Sequence, residues 1–409
     1  MAISTFPADQ PWLEAPQTGR LIAVFDRAGL DFRFVGGAVR DGLLGRPVAD
    51  IDIATPSFPE AVIRALEAAG HKAIPTGLAH GTVTALVRGR HFEITTLRRD
   101  VETDGRHAVV AFTEDWREDA ARRDFTMNAL YADRDGRIMD FFGGIDDARA
   151  GRVRFIGDPD RRITEDALRI LRFFRFHAWY GQGQPDADGL AACARLAGMI
   201  DGLSGERIQA EILKLLGAPD PAPVWQAMIA AGVVAHAVPK ATRVADLIRL
   251  VGAERHLGLA AGPLRRLAAL TGPMEGEQVA ILKARLKLSN HDEAALLAID
   301  GMGETLALIG QGSFGRALYR RDPELVRDAA LLGYARSRLP DLHRLGALLA
   351  FIGSWREPRF PVSGSDLVTR GIQPGAGMGR LLKQVEDWWV AGGFMASREE
   401  CLAELARLT

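Results

Sequence analysis

The spacing of apolar and polar residues changes near residue 157, which divides the chain into two parts of different character. In the first part, short β-rich runs alternate with short helical patterns. The predicted strands are Phe32–Val35 and Ile51–Ala54, and the predicted helices are Ala38–Leu44 and Pro59–Ala69. Turn-forming residues also separate two pairs of β-rich runs, Thr82–Val87 from His91–Thr96 and Ala129–Ala132 from Arg137–Asp140. Two hairpins are therefore predicted within a small domain of mixed α and β structure.

After residue 157 the strand signals nearly vanish, and helical periodicity interrupted by Gly and Pro continues to the end. The clearest predicted helices are Glu165–Tyr180, Gly205–Leu216, Pro223–Ala231, Val244–Arg255 and Gly276–Leu286. A Pro- and Gly-rich break at Arg356–Gly364 precedes the last segment, Ser365–Leu408. The predicted fold class is therefore α+β, with an N-terminal head of mixed sheet and helices followed by an all-helical remainder.

The bulk composition narrows the class of protein. A length of 409 residues predicts two or more domains. No apolar run is long enough for a membrane span, and the N-terminus lacks the pattern of a signal peptide. The two cysteines, Cys193 and Cys401, cannot form a disulfide framework, which favours a reducing compartment. We expect a cytoplasmic protein with no membrane contact, and the sequence gives no sign of a protein partner.

Charge is informative only in its distribution, because the formal net charge is −1. Between Arg149 and Tyr180, eight Arg stand against four acidic residues, and aromatic residues lie among them. Such a segment is typical of phosphate binding. A solvated helix face has the same composition and remains an alternative.

The strongest chemical signal is Val35–Asp41, which contains Gly36-Gly37 and Arg40 and is followed by Asp50 and Asp52. Side chains two apart on a strand share a face about 7 Å apart, so two carboxylates there could hold Mg²⁺. Uncovered backbone N–H groups at the glycine turn suit triphosphate oxygens, and Arg40 could clamp a phosphate. The alternative is a glycine turn beside an incidental pair of surface acids.

A second block, Arg122–Leu130, offers arginines for phosphate and the polar side chains of Asp124 and Asn128 for a ribose. Taken alone, this block is better explained by the salt-bridged start of a helix.

In a third block, Glu165–Arg175, Thr164 is the predicted N-cap of one long helix. Asp166 and Arg169 are three residues apart and could simply pair with each other. Alternatively, the acceptor-only Asp and donor-only Arg complement the edge shared by cytosine and adenine, an amine beside a ring nitrogen. Because positions three apart drift around a helix, Arg172 and Arg175 suit phosphate or RNA backbone better than the base.

These blocks resemble the motifs of the class II tRNA nucleotidyltransferase/poly(A) polymerase family: GGxVRD followed by DxD, then RRDFTxNA, then EDxxR. Leu203–Ile208 is similar to the family's SxERI motif, and Phe360–Leu367 to a recurrent tail segment. The similarity is detailed from Phe32 to Leu216 and looser to the end.

The resemblance implies a nucleotidyltransferase palm over residues 20–150, a helical neck with base recognition over 151–220, and a helical body and tail over 221–355 and 356–409 that grip tRNA. It makes Asp50 and Asp52 ligands of Mg²⁺, with Glu93 a candidate third carboxylate. The resemblance also implies which residues contact the nucleotide. Gly37, Arg40, Arg123, Asp124 and Asn128 would bind it, Asp166 and Arg169 would read its base, and Arg172 and Arg175 would lie near the triphosphate. The implied partners are the tRNA acceptor end, CTP and ATP.

Within the family, Thr76–Thr82 looks like the CCA-adding branch rather than the longer basic motif of poly(A) polymerases. The polar connection Arg98–Val109, with Arg99, Asp100, Asp104 and Arg106, is predicted to be a mobile loop that completes the adenine site. An enzyme that adds only CC or only A, or a poly(A) polymerase, is the alternative. His291-Asp292 lacks the partners of a metal phosphohydrolase, and the acid pair argues against a purely RNA-binding module, whose ligand is anionic.

Overall fold

The computed structural model describes residues 2–7, 9–104, 107–339 and 341–409, with the backbone alone at residues 79, 100–104 and 107–110. The chain divides into two compact units, residues 1–240 and 241–409. The first unit contains the strands and the second is helical, so the fold is α+β as predicted.

The first unit is built on one mixed sheet. Its strands and those of a separate hairpin are β1 (Ala2–Thr5), β2 (Arg33–Val35), β3 (Asp52–Thr55), β4 (Lys72–Gly77), β5 (Thr82–Val87), β6 (Arg90–Thr96), β7 (Arg98–Asp104), β8 (His107–Phe112), β9 (Leu130–Ala132) and β10 (Arg137–Asp140). Among the described residues, the sheet has eight strands in the order β1-β10-β9-β2-β3-β6-β5-β4, and β7 pairs only with β8. β3 and β6 are parallel neighbours, while the other pairs in the sheet are antiparallel.

Helices surround this sheet and extend the first unit to residue 240. They are α1 (Pro11–Glu14), α2 (Pro16–Ala28), α3 (Gly37–Leu43), α4 (Pro59–Ala68), α5 (Trp116–Ala121), α6 (Gly144–Arg149), α7 (Pro159–Glu165), α8 (Leu168–Tyr180), α9 (Ala187–Arg195), α10 (Gly205–Leu216), α11 (Ala222–Ala230) and α12 (Val233–Ala237). Short 3-10 helices lie at Leu78–His80, Thr126–Asn128 and Ala197–Gly202.

The second unit consists of helices. They are α13 (Val244–His256), α14 (Pro263–Thr271), α15 (Gly276–Leu286), α16 (Asn290–Gly301), α17 (Gly303–Gly310), α18 (Phe314–Leu318), α19 (Pro323–Ala335), α20 (Leu342–Ser354), α21 (Gly364–Thr369), α22 (Ala376–Ala391) and α23 (Arg398–Leu408). The last three helices bury a small core around Leu367, Val385, Trp389 and Cys401. Across the described ranges, no helix combines the length and the apolar character that crossing a membrane requires.

Local sequence explains the ends of several elements that carry the site. α7 begins at Pro159 because the Asp158 side chain accepts a hydrogen bond of 2.8 Å from the Arg161 N–H, which caps the helix. Behind β2, β3 and β9, the residues Val35, Ala54 and Tyr131 are buried in one apolar cluster. This cluster fixes the strand ends from which the site residues project.

The hairpins β5–β6 and β9–β10 confirm the prediction made from β-rich runs separated by turn-forming residues, and α10 and α15 have the predicted bounds. Three expectations were wrong. β3 begins at Asp52, so Asp50 precedes the strand instead of sharing it. The single predicted helix Glu165–Tyr180 is two helices, α7 and α8, separated at Asp166, whose backbone is extended. The predicted Arg98–Val109 loop is the hairpin β7–β8; the side chains of Asp100 and Asp104, and Arg106 entirely, lie outside the described residues.

Candidate functional site

A cleft of about 590 Å³ opens in the first unit beside the end of β2. Its lining consists of Gly36, Gly37, Arg40, Asp52, Arg98, Arg122, Arg123, Asp124, Asn128, Asp166, Arg169, Arg172 and Phe176. The three blocks singled out in the sequence therefore meet at one place. Of the residues predicted for the site, Asp50, Glu93 and Arg175 are not part of this lining.

The turn between β2 and α3 needs glycine at position 36. Gly36 has a φ of +69°, in the left-handed region that other residues rarely adopt. A Cβ there would also lie 3.6 Å from Arg123 Nη1 and 4.0 Å from Asp52 Oδ2. Glycine thus leaves the space between a cation and a carboxylate of the cleft open.

Asp52 lies at the first position of β3, directly opposite Glu93 of the parallel strand β6. Burial raises the pKa of Asp52 to about 6, with repulsion from Glu93 and Asp50 adding to the rise and Arg123 opposing it. Both Asp50 and Glu93 are exposed. The three predicted carboxylates therefore share one electrostatic environment, in which Arg123 only partly compensates the charge of Asp52 at neutral pH.

Asp119 of α5 holds the two arginines that follow that helix. Its carboxylate accepts hydrogen bonds of 2.8 Å from Arg122 Nε, 3.1 Å from Arg123 Nη2 and 2.7 Å from the Tyr131 hydroxyl. Burial alone would raise the pKa of Asp119, but Arg123 and Arg122, with the hydrogen bonds, lower it to about 2. The arginines of this block are thus salt-bridged, but they follow the end of α5 instead of starting a helix, and Asp119 fixes them in the cleft wall.

A chain of side-chain contacts connects α8 with α3 across the cleft. Arg172 Nε donates to Asp124 Oδ2 at 2.7 Å, and Asn128 Nδ2 donates to Asp124 Oδ1 at 3.0 Å. Asn128 Oδ1 in turn accepts from Arg40 Nη1 at 2.6 Å. Although burial opposes its charge, Arg172 and these hydrogen bonds lower the pKa of Asp124. Asp124 and Asn128 therefore position the two arginines.

Arg40 is almost fully engaged by the protein. Its Nε and Nη2 donate to the two carboxylate oxygens of Asp41 at 3.0 Å each, and Nη2 also donates to the Tyr180 hydroxyl at 2.7 Å. Its guanidinium lies 4.1 Å from the Tyr180 ring centroid. The structure thus places Arg40 in the lining but with its donors already used, which suits a positioning residue better than the predicted phosphate clamp.

Asp166 and Arg169 both reach the cleft, but they do not pair with each other. Arg207 Nη2 on α10 donates to both oxygens of Asp166, at 3.0 and 2.8 Å. Arg169 Nη1 instead donates at 2.7 Å to Glu165 and at 2.7 Å to the carbonyl of Arg162. The alternative of a mutual salt bridge is therefore wrong, and each side chain is held from behind.

Arg175 is not part of the cleft lining, and its Nε donates to Glu211 Oε2 at 2.5 Å. Its guanidinium and those of Arg40 and Arg172 lie 4.3, 5.2 and 5.3 Å from the Phe176 ring centroid. An aromatic face attracts cations, so Phe176 stabilises three like charges around one ring.

Sequence reasoning missed two kinds of residue. Arg98 and Phe176 line the cleft but were not predicted as site residues, although Phe176 directly follows the third block. The supporting residues Asp119 and Glu211 act from other elements.

The cleft combines a wall of cations with one crowded carboxylate. Such a site can bind a polyphosphate along the arginines and a divalent cation beside Asp52. Within the described residues, no three His, Cys, Asp or Glu side chains converge so that they alone could hold a metal ion. A metal here would therefore share its ligands between the protein and a bound phosphate, the usual arrangement for Mg²⁺.

Comparison with known proteins gives matches over the same regions. Residues 32–154 match the family model described as "Poly A polymerase head domain", and residues 184–244 match "Probable RNA and SrmB- binding site of polymerase A". The chain is 34% identical over 400 residues to "CCA tRNA nucleotidyltransferase 1, mitochondrial" of Danio rerio, covering 95% of this chain and 90% of that protein. It is also 34% identical over 369 residues to the "CCA-adding enzyme" of Streptococcus sanguinis, covering 89% and 90%.

A solved structure shows the same fold. The crystal structure of the Bacillus stearothermophilus CCA-adding enzyme in complex with CTP superimposes with a TM-score of 0.79 at 29% sequence identity. The superposition covers 98% of each chain.

Proposed function

Because the chain belongs to the CCA-adding tRNA nucleotidyltransferases of the poly(A) polymerase family, we propose that its cleft builds the CCA end of tRNA. It adds C, C and A to the tRNA 3′ end from CTP and ATP, without a nucleic-acid template and with release of pyrophosphate. The main support is that all three sequence blocks contribute to the lining of a single cleft. The cleft offers several arginines and the Asp52 carboxylate, which Glu93 and Asp50 repel.

Nucleotidyltransferases generally use a divalent metal, and for this chain we propose Mg²⁺ held by Asp52 and Asp50 with Glu93 nearby. The donor set fits, because hard oxygen ligands suit Mg²⁺. Burial, and after it repulsion from Glu93, raises the pKa of Asp52 to about 6. A bound cation would relieve that repulsion. When bound, such an ion lowers the pKa of the attacking 3′-hydroxyl and stabilises the leaving pyrophosphate.

The arginine wall is proposed to bind the triphosphate. Asp119 fixes Arg122 and Arg123, and Asp124 fixes Arg172, so these guanidiniums are ordered before the nucleotide arrives. Preordered donors lose less freedom on binding. Arg40 and Asn128 hold this wall in place, while Arg175 supports it through Glu211 and Phe176.

Asp166 and Arg169 are proposed to select the base. Arg207 and Glu165 orient them separately, which leaves an acceptor and a donor facing the same cleft. Cytosine and adenine offer the complementary donor and acceptor, whereas guanine and uracil present the reverse order. The protein rather than a nucleic-acid template would thus choose the incoming nucleotide.

The hairpin β7–β8 is proposed to be needed for adding A but not for adding the two C residues. It pairs with no strand of the main sheet among the described residues, so its position depends on its base. There, Arg98 N–H donates to Asp119 Oδ1 at 3.3 Å, and the Arg98 side chain lines the cleft. Movement of the hairpin would therefore reach both the arginine wall and the nucleotide.

We also propose that the chain is organised into head (20–150), neck (151–220), body (221–355) and tail (356–409), and that the body and tail bind tRNA. A cytoplasmic location stays a prediction, since the curated relatives include a mitochondrial enzyme as well as bacterial ones.

The test is extension of tRNA that ends at the discriminator base, with CTP, with ATP or with both, and the products sized on a gel. The proposal expects two added nucleotides with CTP alone and three with both. Arrest of the intact enzyme after two nucleotides in the presence of both would identify a CC-adding enzyme. Long A tails from ATP alone would identify a poly(A) polymerase.

A further inference from the structure

A second pocket, remote in sequence from the nucleotide cleft, lies within the second unit. It has a volume of about 520 Å³ and is lined by α17, α18, the residues after α18, and α22. Its charged lining residues are Glu304, Arg316, Arg320, Arg321, Lys383, Glu386 and Asp387. Four cations thus face three carboxylates.

Two of these cations are neutralised inside the pocket. Glu386 accepts a hydrogen bond of 2.5 Å from the Tyr319 hydroxyl and pairs with Arg320 Nη2 at 2.7 Å. Lys383 Nζ pairs with Asp387 at 2.6 Å. These contacts pair the three charges that α22 contributes to the pocket, so those charges leave little attraction for an outside ion.

Arg316 and Arg321 differ from their neighbours. Along the described part of the chain, neither guanidinium forms an ion pair within 4.0 Å, and Arg316 Nε is buried without a hydrogen-bond partner. Arg321 Nη1 makes only long contacts, 3.3 to 3.5 Å, to the backbone carbonyls of Arg316, Ala317 and Tyr319. A buried N–H without a partner is unfavourable, so Arg316 is held at a free-energy cost that an anion would offset.

We propose that Arg316 and Arg321 bind a phosphate group of the RNA backbone in this pocket. The proposal rests on the function proposed above, which already requires a polyanionic substrate. Two guanidiniums with unused donors match the several oxygens of one phosphate, and they do so better than an ammonium group would. The volume exceeds that of a single phosphate, so adjoining sugar atoms can enter with it. A free nucleotide or inorganic phosphate shares this chemistry and is the competing source.

The experiment compares full-length wild-type protein with Arg316→Gln and Arg321→Gln. Binding of tRNA that lacks the CCA end is measured by fluorescence anisotropy over a range of KCl concentrations. Each variant should bind about tenfold more weakly, since a charge-assisted hydrogen-bond pair is lost. The slope of log K against log salt should become shallower by roughly one, because one phosphate contact is removed. The KM for CTP and the rate at saturating tRNA should not change.

Arg255→Gln is the matched control, because Arg255 is an exposed cation on α13 that does not line the pocket. If it weakens binding as much as the pocket variants do, general charge attraction explains the result and the proposal is wrong. Melting temperatures check folding, and Arg316→Gln should not lower the melting temperature because Arg316 Nε has no partner to lose. Should that variant nevertheless unfold, Arg321→Gln decides.

The second arm measures thermal protection by inorganic phosphate and by ATP. Protection that is lost in Arg316→Gln while tRNA affinity stays unchanged would assign the pocket to a free phosphate and overturn the RNA assignment. Unchanged affinity and salt slope in both variants would also overturn it. The tests of Arg316 and Arg321 measure binding and do not require nucleotide addition. Failure of the wild-type protein to extend tRNA would therefore disprove the proposed activity separately.

Discussion

Replacing Asp52 by Asn should stabilise the metal-free protein while abolishing nucleotide addition. Burial first, and then Glu93 and Asp50, raise the pKa of Asp52 to about 6 from 3.8. A shift of about two units corresponds to about 3 kcal/mol that the folded protein loses by holding this carboxylate ionised at neutral pH. The neutral Asn avoids this loss, and about 1–3 kcal/mol of added stability is expected once local relaxation is allowed for.

The raised pKa of Asp52 also predicts how the stability of the folded protein changes with pH. The folded state binds the Asp52 proton more tightly than the unfolded state does. Its contribution to stability is therefore complete below pH 3.8, falls as pH rises to about 6 and is level above that. Urea unfolding in EDTA at several pH values should show this decline for wild-type protein and a smaller one for Asp52→Asn.

Asp50→Asn is the matched control, because Asp50 is exposed and lies outside the strand. It should remove activity with little change in stability. The reasoning fails if Asp52→Asn is less stable than wild type at neutral pH in EDTA, or if the two stability curves run parallel between pH 4 and 7.

Three other variants test the rest of the cleft. Asp166→Ala should weaken discrimination against GTP and UTP by about 1–3 kcal/mol, measured as ratios of kcat/KM; unchanged ratios with a slower rate would make Asp166 structural. Deletion within β7–β8 should stop extension after two nucleotides on the same gel assay, and full extension by the shortened enzyme would contradict the hairpin's role. Phe176→Leu should raise the KM for CTP several-fold, which corresponds to a loss of about 1 kcal/mol in binding free energy, because Arg172 and Arg40 lose their shared contact with the aromatic ring. An unchanged KM would contradict this role of Phe176.

The two hairpins were predicted correctly because β-rich runs and the turn residues between them are local features of the sequence. Alternating burial is clear in β5, whereas every residue of β9 is buried. The break at Asp166 could not be predicted in the same way, since helical spacing of apolar residues continues through it. Two contacts hold the Asp166 carboxylate at the break: a tertiary ion pair with Arg207 of α10, and a local hydrogen bond of 3.1 Å from the Leu168 N–H. The edge strand β1 was missed because its four residues are mostly exposed and carry no alternating pattern.

In the site, likewise, some residues could be predicted from the sequence and others only from the fold. Arg123 and Asp124 lie within one compact block, and the resemblance of that block to the family's motif made them site candidates; both line the cleft. The partners that hold them were not, since Glu211 lies 36 residues from Arg175 and meets it only through packing of α8 and α10. Sequence motifs thus predicted groups that line the cleft, and the fold was needed to show which groups hold them.

The charge pattern of the cleft implies that nucleotide and metal depend on each other. Arg123, Arg172 and Arg169 are each held by a carboxylate, so their attraction for a triphosphate is already partly neutralised. Asp52 has no such partner in ion-pair distance among the described residues, and its charge repels the same triphosphate. A divalent cation removes this repulsion, so CTP should bind markedly more tightly to wild-type protein with Mg²⁺ than in EDTA. In Asp52→Asn the repulsion is already gone, and the metal dependence measured by equilibrium titration should shrink. An equal Mg²⁺ effect in both proteins would mean that the metal acts through CTP alone and that Asp52 takes no part in holding it.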